Sequence, residues 1–198
     1  LHELTLEVDE YGNVLEAAQV VYPRATTSIN AVIDAVQDKM LITYTQTAYT
    51  NDIDNDAVQY RLRMPYETKV YELHHATLAT AYWLPEDLKA VFDGIATDTD
   101  FSTAPVSLAK RLLSRTRVQY LENDTTAPLS FGTIESLGLV YQQYQLAFTT
   151  NVLSDVYAGL VDNTMLGEGG YILADSQWWI PSGTVAYNNP LTEFYTPI

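Results

Sequence analysis

Apolar and polar residues alternate with a period of two through much of the chain. Leu4, Leu6 and Val8 alternate with Glu3, Thr5 and Glu7, the pattern of a strand with one buried face. Asp9-Glu10-Tyr11-Gly12-Asn13 follows as a turn, because glycine and asparagine tolerate positive φ. Residues 14–22 return with Val14, Val20 and Tyr22 on one face, so residues 3–22 predict a hairpin. The same period recurs over residues 40–49, where Thr43, Thr45 and Thr47 alternate with Ile42, Tyr44 and Gln46. Residues 58–73 read as one long or broken strand. Tyr60, Leu62 and Met64 alternate up to Pro65, which has no amide hydrogen to donate and so marks an edge or a break. Residues 111–121 set Arg111, Arg115, Arg117 and Gln119 against Leu112, Val118 and Tyr120, and predict a strand whose beginning, residues 107–113, also suits a helix. Residues 138–148 predict another.

Three short stretches switch to helical spacing. Ile29, Val32, Ile33 and Val36 form one stripe, with Thr27 or Ser28 as its cap. Pro85 opens a second helix, with Glu86 and Asp87 in its first turn, Leu88, Val91, Phe92 and Ile95 as its stripe and Gly94 near its end. Val152, Leu153, Val156 and Tyr157 form the third, after cap candidates Thr149-Thr150-Asn151 and before Gly159. Residues 98–105 read as loop, 123–130 as a polar turn and 163–170 as a lead-in, while Asn188-Asn189-Pro190 breaks the strand pattern. Strands without regular βαβ alternation disfavour a doubly wound parallel sheet. The expected fold is mainly β, an antiparallel sheet with about three short inserted helices, with α+β as the alternative. Residues 1–198 are expected to form a single segment, without an internal repeat of fixed period.

Residues 169–183 concentrate the aromatic signal, with Trp178 and Trp179 between the glycine pair Gly169-Gly170 and a Pro181-Ser182-Gly183 turn. They predict a hairpin that turns at Asp175-Ser176. Adjacent Trp178 and Trp179 must point to opposite faces. If both are buried, the sheet is covered on two sides; if one is exposed, it marks a contact surface or a sugar-stacking platform.

Composition narrows the function. The chain of 198 residues carries a formal charge of −15, which argues against nucleic acid and anionic membrane surfaces. Lys110, Arg111, Arg115 and Arg117 gather four of its ten basic residues, and read as a solvated strand face paired with acids. No cysteine is present, which removes disulfides and thiolate metal sites. No apolar run is long enough for a transmembrane helix. The opening Leu1-His2-Glu3, with neither methionine nor a basic-then-apolar leader, suggests an excerpt from a longer polypeptide with no signal peptide in this segment.

Candidate chemistry is sparse. Asp52, Asp54 and Asp56 imitate the first ligands of an EF-hand loop, but Ala57 stands where that loop needs glycine and Arg63 where it needs glutamate, so an acidic surface loop is the reading. His74 and His75 face opposite ways on a strand and cannot share a metal from there. Gly167-Glu168-Gly169-Gly170 lacks the lysine of a phosphate loop and reads as a flexible strand entry. The nucleophile elbow, the dinucleotide fingerprint and the zincin motif are missing, and nothing selects a carboxylate pair for glycoside hydrolysis. The expectation is no enzyme, with no catalytic, cofactor or metal residues.

Four ordered blocks bear a family resemblance. His2-Glu3-Leu4-Thr5-Leu6-Glu7-Val8-Asp9-Glu10-Tyr11-Gly12-Asn13-Val14-Leu15 resembles the segment after the β-propeller region in B components of tripartite ABC (Tc) insecticidal toxin complexes, which are related to the SpvB virulence proteins. Its Asp-x-Tyr-Gly-Asn core also looks like the YD signature of RHS-repeat proteins. Thr43-Tyr44-Thr45, followed by Tyr60-Arg61-Leu62-Arg63-Met64-Pro65-Tyr66-Glu67-Thr68, looks like that family's strand leading to P-x-E-T. Residues 137–149 are similar to its L-A-L-P-Y-E-x-Y-x-L-A-F-T block, with Val140 in place of the proline and Gln142 of the glutamate. Glu168-Gly169-Gly170-Tyr171 and Trp178-Trp179-Ile180-Pro181-Ser182-Gly183 match its E-G-G-Y and W-W-I-P-S-G elements.

The resemblance covers essentially the whole chain. It implies an RHS-type shell wall, a non-enzymatic segment of a secreted B component. In that family the B and C components form a hollow β-shell around the toxic C-terminal part of C, for delivery through the A component. The implied partners are the rest of the B component, the C component and the A component, with no nucleic acid, no membrane insertion by this segment and no cofactors. The family's self-cleaving aspartyl protease belongs to C and matches nothing here, and the Glu-x-Glu of the SpvB transferase domain is absent. The rival reading is a self-standing β-rich carbohydrate-binding module or glycosidase-like domain, with Trp83, Trp178 or Trp179 stacking on a sugar.

Overall fold

A computed structural model describes residues 1–24, 30–54, 58–78, 80–188 and 193–198. In chain order its elements are β1 (His2–Val8), β2 (Val14–Val21), α1 (Ala31–Gln37), β3 (Leu41–Tyr49), β4 (Pro65–His74), α2 (Pro85–Asp93) and β5 (Asp98–Thr99). They continue as β6 (Ala109–Tyr120), β7 (Val140–Phe148), α3 (Thr150–Tyr157), α4 (Asn163–Glu168), β8 (Ile172–Ala174) and β9 (Gln177–Pro181). The hydrogen-bonded strand order is β1-β2-β3-β4-β6-β7-β9-β8, with β5 beside β6. Neighbours such as β1–β2, β2–β3, β6–β7 and β7–β9 run antiparallel, and the two residues of β5 pair with β6 in parallel. The fold is mainly β, as the period-two alternation predicts.

The described residues gather into two compact units. The first holds Leu1–Gln46 and Lys69–Leu113, the second Thr47–Thr68 and Ser114–Ile198. In the first unit, the inward phase of β1–β3 places Leu4 opposite Ala18, Ala18 opposite Tyr44 and Val20 opposite Ile42. These residues, with Tyr71 and Leu73 of β4, bury against Trp83 and against Leu88 and Phe92 of α2. Phe92 stacks on Tyr44 with ring centres 3.7 Å apart and meets Tyr71 edge-on at 5.3 Å. Burying a ring of this size contributes about 2–3 kcal/mol. The β1–β2 turn is fixed by Asp9, whose carboxylate accepts from the amides of Tyr11 (3.0 Å) and Asn13 (2.9 Å) while Gly12 takes φ 82°.

The second unit buries Tyr120, Leu121, Ile134, Leu139, Leu166, Trp178 and Trp179. Polar side chains tie its discontinuous pieces together. Asn51 Oδ1 accepts from the Ile134 amide at 2.9 Å, Arg61 Nε donates to the Ser136 carbonyl at 2.6 Å, and the Tyr120 hydroxyl donates to the Pro65 carbonyl at 2.9 Å.

Several expectations are corrected. The described residues form four helices where about three are expected, the fourth in residues 163–170, which read as a lead-in: Asp162 caps α4 by accepting from the Met165 amide at 2.8 Å. Gly167-Glu168-Gly169-Gly170 is therefore a helix end, with Gly170 at φ 82°, and not a flexible strand entry. Of the long or broken strand expected over residues 58–73, the broken form holds, and only the part from Pro65 onward is strand, as β4. Tyr60, Leu62 and Met64 precede it, Ile53 and Arg61 form an isolated bridge, and Pro65 opens the ladder where a missing amide costs least. The loop over residues 98–105 begins with β5. The cap of α1 is Asn30, which accepts from the Val32 amide at 2.9 Å; Thr27, Ser28 and Ile29 lie outside the described residues. The predicted α1 stripe does not face the core, for Val32, Ile33 and Val36 are all exposed.

Candidate functional site

The hairpin predicted over residues 169–183 forms from β8 and β9. Ile172, Leu173 and Ala174 pair with Trp179, Trp178 and Gln177, which leaves Asp175 and Ser176 as a two-residue turn. Both take positive φ, 52° and 59°, the demand of a type I′ turn whose twist matches the flanking strands. β9 also pairs with β7, Trp179 opposite Leu146 and Trp178 opposite Phe148. Both tryptophans are buried, 7% and 2% exposed, so β9 is covered on both faces at these two positions. Trp179 Nε1 donates to the Ala174 carbonyl at 3.2 Å and satisfies the one polar atom of the ring.

The face of Trp179 is covered by β6. The guanidinium carbons of Arg117 and Arg115 lie 4.6 and 5.4 Å from its ring centre, within cation–π range. Glu67 of β4 anchors both arginines, its Oε1 accepting from Arg115 Nε at 2.9 Å and from Arg117 Nε at 2.5 Å. Arg117 Nη1 donates to Asp175 in the hairpin turn at 2.7 Å, and Arg115 Nη1 to Gln177 at 3.3 Å. Arg117 also lies over Phe131, 5.1 Å from its centre. Burial disfavours the Arg117 charge, but Glu67 and Asp175 outweigh it and raise its pKa further. Arg117 in turn holds the Asp175 carboxyl below the usual aspartate range. Every charge in this constellation has a partner, so it is built to clamp the hairpin to β4 and β6.

The basic cluster is paired with acids as expected: Lys110 with Asp98 at 3.6 Å, Arg111 with Glu72 at 2.8 Å, Arg115 and Arg117 with Glu67. It is not a solvated face, since all four side chains are largely covered.

A second constellation lies in the first unit and has its sequence signal in Glu16, an acid in the inward phase of β2. Its carboxylate accepts from the Tyr44 hydroxyl (2.5 Å), Gln46 Nε2 (2.8 Å) and Lys89 Nζ (2.6 Å). Lys89, on α2, also reaches Glu7 at 2.8 Å and Asp93 at 3.2 Å. This network pins α2 to the sheet.

The remaining candidates divide. Asp52 is held by Arg63, accepting from its backbone amide at 2.7 Å and from its guanidinium, so its carboxylate is committed to that cation. Asp56 and Ala57 lie outside the described residues. His74 and His75 do not behave as strand neighbours. His75 sits past the end of β4 at φ 55°, and both imidazoles line one cleft with ring centres 6.2 Å apart. Among the described residues no three or more His, Cys, Asp or Glu side chains gather as a metal ligand set, and no helix is long and apolar enough to cross a membrane.

The fold has counterparts of known structure. No family model and no curated protein matches the chain. A chain in the structure of the Photorhabdus luminescens Tc holotoxin pore, determined with a TccC3 substitution, matches with a TM-score of 0.70 at 20% identity, over 98% of this chain and 10% of that one. A chain in the crystal structure of TcdB2-TccC3-Cdc42 matches with a TM-score of 0.69 at 19% identity, over the same shares. The protein thus shares its fold with a segment of these chains and spans about 10% of their length.

Proposed function

We propose that residues 1–198 are a structural, non-enzymatic wall segment in a B component of a Tc-type toxin complex. They help to form the hollow β-shell that encloses the toxic C-terminal part of the C component before its delivery through the A component, in a particle acting outside the producing cell. The fold match over 98% of the chain carries this reading. The four ordered blocks resembling B components support it, because they fall on framework elements: the β1–β2 turn, the Pro65 entry to β4, strand β7 and the α4–hairpin unit. Both constellations consist of charges already paired inside the fold, which suits a wall.

The test is enclosure. The parent polypeptide is co-expressed with its C component, and the purified assembly is exposed to protease. The C-terminal part of C should survive in the unaltered assembly and be digested when Trp178→Ala and Trp179→Ala together loosen the wall. Failure of the two components to co-purify would overturn the proposal, as would undiminished protection in a variant whose hairpin is loose by hydrogen exchange. The carbohydrate-binding reading lacks its platform, because Trp83, Trp178 and Trp179 are all buried. Saturable glycan binding lost in Trp179→Ala would revive it.

A further inference from the structure

We propose that the cleft between β1 and the segment leading into α2 binds a small, neutral aromatic molecule carrying one hydrogen-bond acceptor, such as an aryl ketone. The cleft lies wholly in the first unit, so the inference is independent of the toxin reading. Its volume is about 560 Å³, within the span of small-molecule sites. The buried Leu4 and Trp83 and the rings of His2, Tyr22 and Tyr82 line it, with the exposed Leu84 beside them.

Ring geometry sets the shape of the ligand. Tyr82 stands perpendicular to both neighbouring rings, at 89° to Tyr22 with centres 5.2 Å apart and at 88° to His2 with centres 6.4 Å apart. His2 and Tyr22 are inclined to each other by only 31°, with centres 6.0 Å apart. The three rings thus form two walls that meet at a right angle. A further flat ring in such a corner stacks on one wall and meets the other edge-to-face, the two favoured arrangements of aromatic pairs. Tyr82 is 64% exposed and keeps aromatic surface for a partner. A saturated ring has no π face to offer and gains only burial.

Charge and hydrogen bonding narrow the class. No lysine, arginine, aspartate or glutamate lines the cleft, so a charged ligand would be desolvated there without a counter-charge. The Trp83 amide donates to the Tyr22 hydroxyl at 2.9 Å, and that hydroxyl lies 3.0 Å from His2 Nδ1. A phenol oxygen that accepts from an amide directs its own proton to the neutral imidazole, so Nδ1 accepts and Nε2 carries the ring's hydrogen. Nε2–H has no partner among the described residues. It is the donor left for a ligand, and a carbonyl oxygen attached to the aromatic ring answers it.

An NMR titration of the 198-residue chain with acetophenone at pH 8, where an imidazole is neutral, tests this. One saturable site is expected, with amide shifts concentrated at His2, Tyr22, Tyr82 and Trp83. Benzoate, benzyltrimethylammonium and cyclohexyl methyl ketone should each bind more weakly. Tyr82→Leu, which keeps apolar bulk and loses the ring, should weaken acetophenone roughly threefold to tenfold with the melting temperature unchanged. His2→Phe, which keeps a ring and removes Nε2–H, should weaken acetophenone by about the same factor and leave toluene, which has no acceptor, unaffected. Val156→Ser, on an exposed apolar position of α3 in the second unit, should leave binding intact. Absence of saturable binding, equal or tighter binding of a charged or saturated analogue, an affinity insensitive to either variant, or a loss in His2→Phe shared by toluene would overturn the proposal.

Discussion

Glu16 shows how a buried acid is stabilised by donors. Burial alone would raise its pKa, but hydrogen bonds from Lys89, Tyr44 and Gln46 outweigh it and lower the value from the ordinary 4.5. A carboxylate whose folded pKa is lowered stabilises the protein above its unfolded value, and that contribution is lost as pH falls through the folded value. Lys89→Met keeps the apolar stem and removes the charge. It should cost about 2 kcal/mol in urea unfolding at neutral pH, with the difference from the unaltered protein narrowing as pH drops below 4.5. Tyr44→Phe retains the stack on Phe92 and loses one donor to Glu16. It should cost about 1–2 kcal/mol by the same measurement. Burial, and then the neighbouring Glu16 carboxylate, keep the Tyr44 hydroxyl protonated at any working pH.

At the scale of elements, the hairpin turn is strained at a position that invites relief. Ser176 holds φ 59° in the second place of a type I′ turn, where glycine is the residue without steric cost. Ser176→Gly should stabilise by about 0.5–1 kcal/mol in thermal unfolding, because the bond from Thr150 Oγ1 goes to the Ser176 backbone carbonyl and survives the change. Trp179→Ala removes the surface that Arg115 and Arg117 cover, and should cost about 3–5 kcal/mol. Elements with one buried face were legible in the sequence, because burying a single face forces the period of two seen in β1, β2 and β3. α4 was not, since it buries only Leu166 and carries Gly167 inside it. β5 has two residues, too few to carry any period. The stripe of α1 announced a helix but not what would cover it. The basic cluster was visible, but its anchor was not, because Glu67 lies 48 and 50 residues from the arginines it binds.

At the scale of the whole molecule, charge and sheet edges oppose each other. β1 and β8 end the strand order, and they present exposed apolar residues: Val8, Ile172 and Leu173. Edge strands of this kind template association, whereas a net charge of −15 resists it. Salt at about 1 M, where the Debye length is ~3 Å, should remove the resistance and raise the weight-average mass in sedimentation equilibrium. Leu173→Lys should reverse the increase. A monodisperse monomer at high protein concentration and high salt would contradict this account of the edges.

The division of the chain between two units has a bearing on how it is made. Leu1–Gln46 and Lys69–Leu113 build one unit, Thr47–Thr68 and Ser114–Ile198 the other, so the chain passes from one to the other three times. No single cut separates them, and neither can be expressed as one uninterrupted stretch. During synthesis the first unit becomes complete only once Leu113 has left the ribosome, by which time Thr47–Thr68 has long since emerged. That excursion must wait for Ser114–Ile198 before Asn51, Arg61 and Pro65 meet their partners at Ile134, Ser136 and Tyr120. A ribosome stalled with Leu113 just clear of its exit tunnel would therefore display a finished first unit bearing one open loop, a species that pulsed proteolysis of nascent chains can reveal.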